Sequence, residues 1–100
     1  MDYNNLPTFA KTNVMASKRI LKKNLLKLVV DVVDESYSIQ LYNPKEKTKK
    51  TEKLIDDVLN FHDEMRTKIK AAKSKKEIAP LRAQIEKNAI GYIEELNGLY

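Results

Sequence analysis

Residues 20–42 contain no glycine and no proline, and the run LLKLVVDVV, Leu25 to Val33, lies at their centre. Apolar residues recur at 21, 25, 28, 32 and 39, the three- and four-residue steps of one helical face. A second set, at 26, 29, 30, 33, 37 and 41, lies beside the first. At about 100° per residue the two sets cover roughly two-thirds of the circumference, well beyond the single stripe of a surface helix. Only a narrow strip stays polar: Lys23, Asn24, Lys27, Asp31, Asp34 and Glu35. Such a helix needs neighbours on several sides. It is expected to be the central helix of a bundle.

The rest of the chain suits that expectation. One hundred residues are enough for one domain with its own core, and 42% apolar with 33% charged residues describe a folded chain. Two glycines and three prolines supply too few turns for an all-β fold and favour a few long helices. The expected fold class is all-α: a three-helix up-down-up bundle with a long first helix, completed by self-association or a partner. Residues 1–12 are expected to be a flexible N-terminal arm, with Tyr3, Leu6 and Phe9 as its docking anchors, and residues 13–100 the bundle domain.

The first helix should start between Thr12 and Ser17, either of which could cap it, and stop before Asn43-Pro44. Tyr37, Ile39 and Leu41 alternate with polar residues in the manner of a strand. With no second strand for them to pair with, they are read as the last turns of the helix. A lysine-rich loop, Asn43 to Thr51, leads to a second helix from Thr51 to Ala72. Its stripe is Leu54, Val58, Phe61, Met65, Ile69 and Ala72, with Ile55, Leu59 and His62 alongside.

Ser74 and Glu77 have the spacing of a capping box, while Pro80 implies either a later true start or a kink. The third helix then presents Leu81, Ile85, Ala89, Tyr92, Leu96 and Leu99. Gly91 is expected to mark close approach of a neighbouring backbone, and Gly98 a C-terminal cap.

Catalytic chemistry finds little material. Without cysteine there can be no disulfide, thiolate metal site or thiol nucleophile. His62 is the only histidine, and its neighbours Asp63 and Glu64 are expected to point elsewhere on the helix. The carboxylate pairs Asp56/Asp57, Asp63/Glu64 and Glu94/Glu95 match neither a di-iron nor a calcium pattern. No glycine-rich phosphate loop or nucleophile elbow is present. The chain is therefore expected not to be an enzyme, with no cofactor, no metal and no small-molecule substrate. The segment MDYNNLPTFAKT lacks the apolar core of a signal peptide, and no apolar run is long enough for a membrane span. A cytoplasmic or particle-associated setting is expected, with no membrane partner.

Charge is the more informative property. The net charge of +5 arises from 19 basic and 14 acidic residues, unevenly placed. Lys11, Lys18, Arg19, Lys22, Lys23 and Lys27 form a block without acids, as do Lys68, Lys70, Lys73, Lys75 and Lys76. In an up-down bundle both blocks meet at one pole. Like charges four apart, such as Lys18/Lys22 and Arg19/Lys23, cost about 0.2–0.5 kcal/mol each, which suggests a use for them. Only three of the 19 bases are arginine, so phosphate attraction is favoured over reading of bases.

The candidate polyanion-binding residues are Lys18, Arg19, Lys22, Lys23, Lys27, Lys68, Lys70, Lys73, Lys75 and Lys76. The candidate protein interface is the spare face of the first helix, at Val30, Val33, Tyr37 and Leu41. Two functions follow. The first is a non-enzymatic structural or interaction subunit, binding itself or another protein through the first helix. The alternative is a basic bundle that holds RNA or DNA backbone without strong sequence preference. No motif in the chain chooses between them.

Overall fold

The structure, a computed structural model, describes residues 6–42 and 47–99. The described residues form three helices and no strand: α1 (Leu6–Tyr42), α2 (Thr48–Ala71) and α3 (Lys75–Leu99). The molecule measures 60 × 22 × 17 Å. Its long axis is set by α1, whose 37 residues span about 55 Å at 1.5 Å per residue.

Contacts at the helix ends fix their relative directions. The Lys18 ammonium donates to the Lys70 carbonyl at 3.2 Å, so the early part of α1 lies beside the end of α2. At the other end the Gln40 amide donates to Thr51 Oγ1 at 2.7 Å. α1 and α2 are therefore antiparallel neighbours. The Lys47 ammonium donates to the Leu99 carbonyl, and the Phe61 and Tyr92 rings meet edge to face at 6.1 Å, so α2 and α3 are antiparallel too. Two of the three helix C-termini thus receive a lysine ammonium from another part of the chain, where it faces the negative end of the helix dipole.

The core follows the helical periods. Leu21, Leu25, Leu28, Val32 and Ile39 of α1 are buried, together with Val29 from the second apolar set. They meet Leu54, Val58, Phe61, Met65 and Ile69 from α2, Ala72 just beyond its end, and Ile78, Ile85 and Leu96 from α3. Leu81, Ala89, Tyr92 and Leu99 pack on the core's edge, half-buried.

Several expectations need correction. α1 starts at Leu6, ahead of the Thr12–Ser17 window, so residues 6–12 are helical. Pro7 permits this because it falls in the first turn, where an N–H has no helical partner to lose. Residues 1–5, and the docking expected of Tyr3, Leu6 and Phe9, lie outside the described residues. α2 starts at Thr48, one turn before Thr51. Thr51 is fully buried and does not cap; its hydroxyl turns back to the Lys47 and Thr48 carbonyls, each at 2.9 Å. The remainder of the expected loop, residues 43–46, lies outside the described residues.

α3 runs unbroken through Pro80 from Lys75, so the late start at the proline does not occur. Pro80 has no N–H to give the Lys76 carbonyl, and both residues are exposed. Glu77 does serve the helix start, but its carboxylate accepts from the Lys73 N–H, one residue before the expected cap. Gly91 is not a point of close approach: a Cβ there would meet nothing within 4 Å. Gly98 sits inside α3 without a positive φ, so it is no left-handed cap. The SYSIQLY segment is helical.

Candidate protein interface

The α1–α2 pair presents one flank that α3 does not cover. On α1, Leu26, Val30, Tyr37 and Leu41 are exposed by 55%, 47%, 55% and 83%. Steps of four, seven and four place them on one side of the helix. Val33 belongs to the same side but is half-buried against the core, so of the expected interface residues it serves packing more than contact. On α2, Leu59 is exposed by 44% and Ile55 is half-buried. Leu59 precedes His62 by three residues and Arg66 by seven, so all three share a flank.

The two flanks are one surface. A cleft of about 320 Å³ between α1 and α2 is lined by Arg19, Lys22, Lys23, Leu25 and Leu26 from one helix and His62 and Arg66 from the other. Leu26 and His62 therefore adjoin. In the antiparallel register fixed by Lys18–Lys70 and Gln40–Thr51, Val30 falls beside Leu59 and Tyr37 beside Ile55. The result is an apolar surface with a cationic end.

The predicted basic residues do not gather around one cleft. Arg19, Lys22 and Lys23 are exposed around the cleft. Lys18 is half-buried and its ammonium caps α2, so its charge is partly committed to the fold. Lys68 pairs with Glu64 at 3.1 Å, which neutralises it locally. Lys73 and Lys75 line a second cleft of about 500 Å³ with Val14, Met15, Lys18, Ala72 and Ser74. Lys75 also reaches a smaller one with Ser17, Ile78, Ala79 and Arg82. Lys27, Lys70 and Lys76 are exposed and line none of these three.

Sequence reasoning missed Arg66, Arg82, Leu26 and the α2 flank. Arg66 lies two residues ahead of the Lys68–Lys76 block and outside it, and only the pairing of α2 with α1 brings it to the cleft of Arg19 and Lys23. His62, expected alongside the α2 stripe, is half-buried at the cleft, and its Nδ1 lies 3.4 Å from Asp63 Oδ1. The expectation that Asp63 points away from it is thus incorrect: the two side chains bend toward each other across adjacent positions.

Among the described residues no group of three or more His, Cys, Asp or Glu could hold a metal, and no described helix is long and apolar enough to cross a membrane. Among the described residues Tyr92 is the one titrating group with a clear displacement. Burial against Phe61 and α2 raises it above the usual tyrosine range, the negative charge of Asp57 adds to this, and a hydrogen bond with Asn88 opposes it. Comparison with family models, with curated proteins and with solved structures finds no match.

Proposed function

We propose that this chain is a non-enzymatic interaction subunit whose up-down-up bundle is completed in a larger assembly by a helix lying on the α1–α2 flank. The observation that supports it is the exposed row Leu26, Val30, Tyr37 and Leu41, continued across α2 by Leu59. Single exposed apolar residues are ordinary; a contiguous row over two adjacent helices is the usual mark of an interface. Val30→Glu and Leu41→Glu test this reading. Both sites are exposed, so helix content and melting temperature should hold, while the mass of the assembly recovered from the native cell falls. Unchanged mass for both variants would remove the interface.

The second reading, contact with RNA or DNA backbone, is supported by the gathering of Arg19, Lys22, Lys23 and Arg66 around one cleft. It requires affinity that drops steeply with salt and little sequence preference. Replacing those four by Gln should then weaken binding more than replacing Lys49, Lys50, Lys53 and Lys87, which stand elsewhere and are exposed. Lys47 is unsuitable as a control because it caps α3.

A further inference from the structure

We infer that the occupant of the α1–α2 flank is an amphipathic α-helix of another protein, carrying acidic side chains where it crosses the Arg19–Lys22–Lys23–Arg66 end. The inference rests on the docking reading above and adds the chemistry of the partner.

The charge at that end has no internal answer. Among the described residues, Arg19, Lys22, Lys23 and Arg66 take part in no ion pair, and no acid lines their cleft. Arg19 and Lys23 stand four residues apart, a repulsive spacing that a carboxylate between them would relieve. Both arginines can clasp a carboxylate with two donors, which favours planar acids at that position. The cleft floor is apolar, with Leu25 buried and Leu26 half-open, so a partner's acid would arrive on an apolar stem.

Length and continuity select a helix. The surface from Arg19 to Leu41 covers 23 residues of α1, about 33 Å from first to last at 1.5 Å per residue, close to six turns of one partner helix. Two antiparallel helices side by side offer the groove into which a third packs. A phosphate backbone would satisfy the cations yet leave Val30, Tyr37, Leu41 and Leu59 in water. A second copy fits less well. Laid antiparallel, its own α1 stripe would bring Leu41 and Tyr42 to the cationic end; laid parallel, it would bring the same cations.

The test uses three synthetic helical peptides of about 24 residues that share one leucine stripe. They differ only in bearing Glu, Gln or Lys along one terminal third, and each is made in both polarities. Fluorescence anisotropy against the full chain should rank Glu over Gln over Lys in one polarity, with about tenfold between Glu and Gln at low salt. R19Q combined with R66Q should narrow that ranking, lowering the Glu peptide's affinity more than the Gln peptide's, since Lys22, Lys23 and the apolar row are intact. Equal affinities for the three peptides would overturn the acidic partner and leave the docking face standing. A wild-type dimer that Val30→Glu converts to a monomer would also overturn it, because a second copy then fills the face. No peptide binding by a monomeric wild type would overturn both readings.

Discussion

Gln40 Nε2 donates to Thr51 Oγ1 at 2.7 Å across the turn between α1 and α2. The same hydroxyl directs its proton to the carbonyls of Lys47 and Thr48, and Thr51 is completely buried. This one oxygen joins the last turns of α1 to the first turn of α2. It therefore helps set the antiparallel register on which the α1–α2 flank depends.

Thr51→Val keeps the volume and removes the acceptor, leaving the Gln40 amide without its partner. Urea unfolding should show a loss of about 1–2 kcal/mol. A double cycle with Gln40→Ala should give a coupling of about 1 kcal/mol, since each single change already breaks the same bond. Additive losses would mean the pair contributes nothing specific.

Ser36 is the converse case. It lies four residues after Val32 and three before Ile39, so the helical period carries it into the core regardless of its polarity. Its hydroxyl is buried and has no hydrogen-bond partner among the described residues. Ser36→Ala removes the unsatisfied group and adds helix propensity, so thermal unfolding should shift upward, by about 1 kcal/mol at the midpoint. A lower melting temperature would show that the hydroxyl contributes more than its isolation suggests.

These two residues mark where sequence reading succeeds and where it stops. The apolar positions 21, 25, 28, 32 and 39, and the α2 stripe from Leu54 to Ala72, were legible because period alone decides which side is buried. Ser36 was not, because a polar residue at a core position gives no signal of its own. Helix starts were misread for a related reason. Pro7 looks like an interruption until it is placed in a first turn, and the lysine-rich run before Thr51 looks like loop although α2 already starts at Thr48. The cleft was half legible: Arg19, Lys22 and Lys23 are neighbours in sequence, but His62 and Arg66 join them only through the pairing of two helices.

Val32 is 1% exposed at the centre of the α1 core face. Val32→Asp places a carboxylate there without a partner, at a cost of several kcal/mol. A chain of this length commonly has about 5–15 kcal/mol of stability in total, so circular dichroism should show most of the helix lost at 25 °C. A folded Val32→Asp would mean that this stretch of α1 is not core.

Tyr92 provides a pH test. Its hydroxyl donates to the Asp57 carbonyl at 3.5 Å, the outer limit for such a bond, and it titrates above the usual tyrosine range because burial and Asp57 oppose the phenolate. A folded-state value above the unfolded one favours the neutral form, so the associated stability is complete below about pH 10 and fades as pH rises through the folded value. In ultraviolet titration Tyr92 should ionise late, and the late component should vanish in Tyr92→Phe. The same substitution should flatten the alkaline decline in stability. A decline of equal slope in both proteins would place its origin elsewhere.

The docking role of the α1–α2 flank is tested most directly by photo-crosslinking in the native cell. A photoreactive residue placed at Val30 or Leu41 should each give one dominant product of the same mass. The same residue at Glu86 or Lys87, exposed on α3, should give none. Products of equal yield from both sets, or no product from Val30 and Leu41, would contradict the interface.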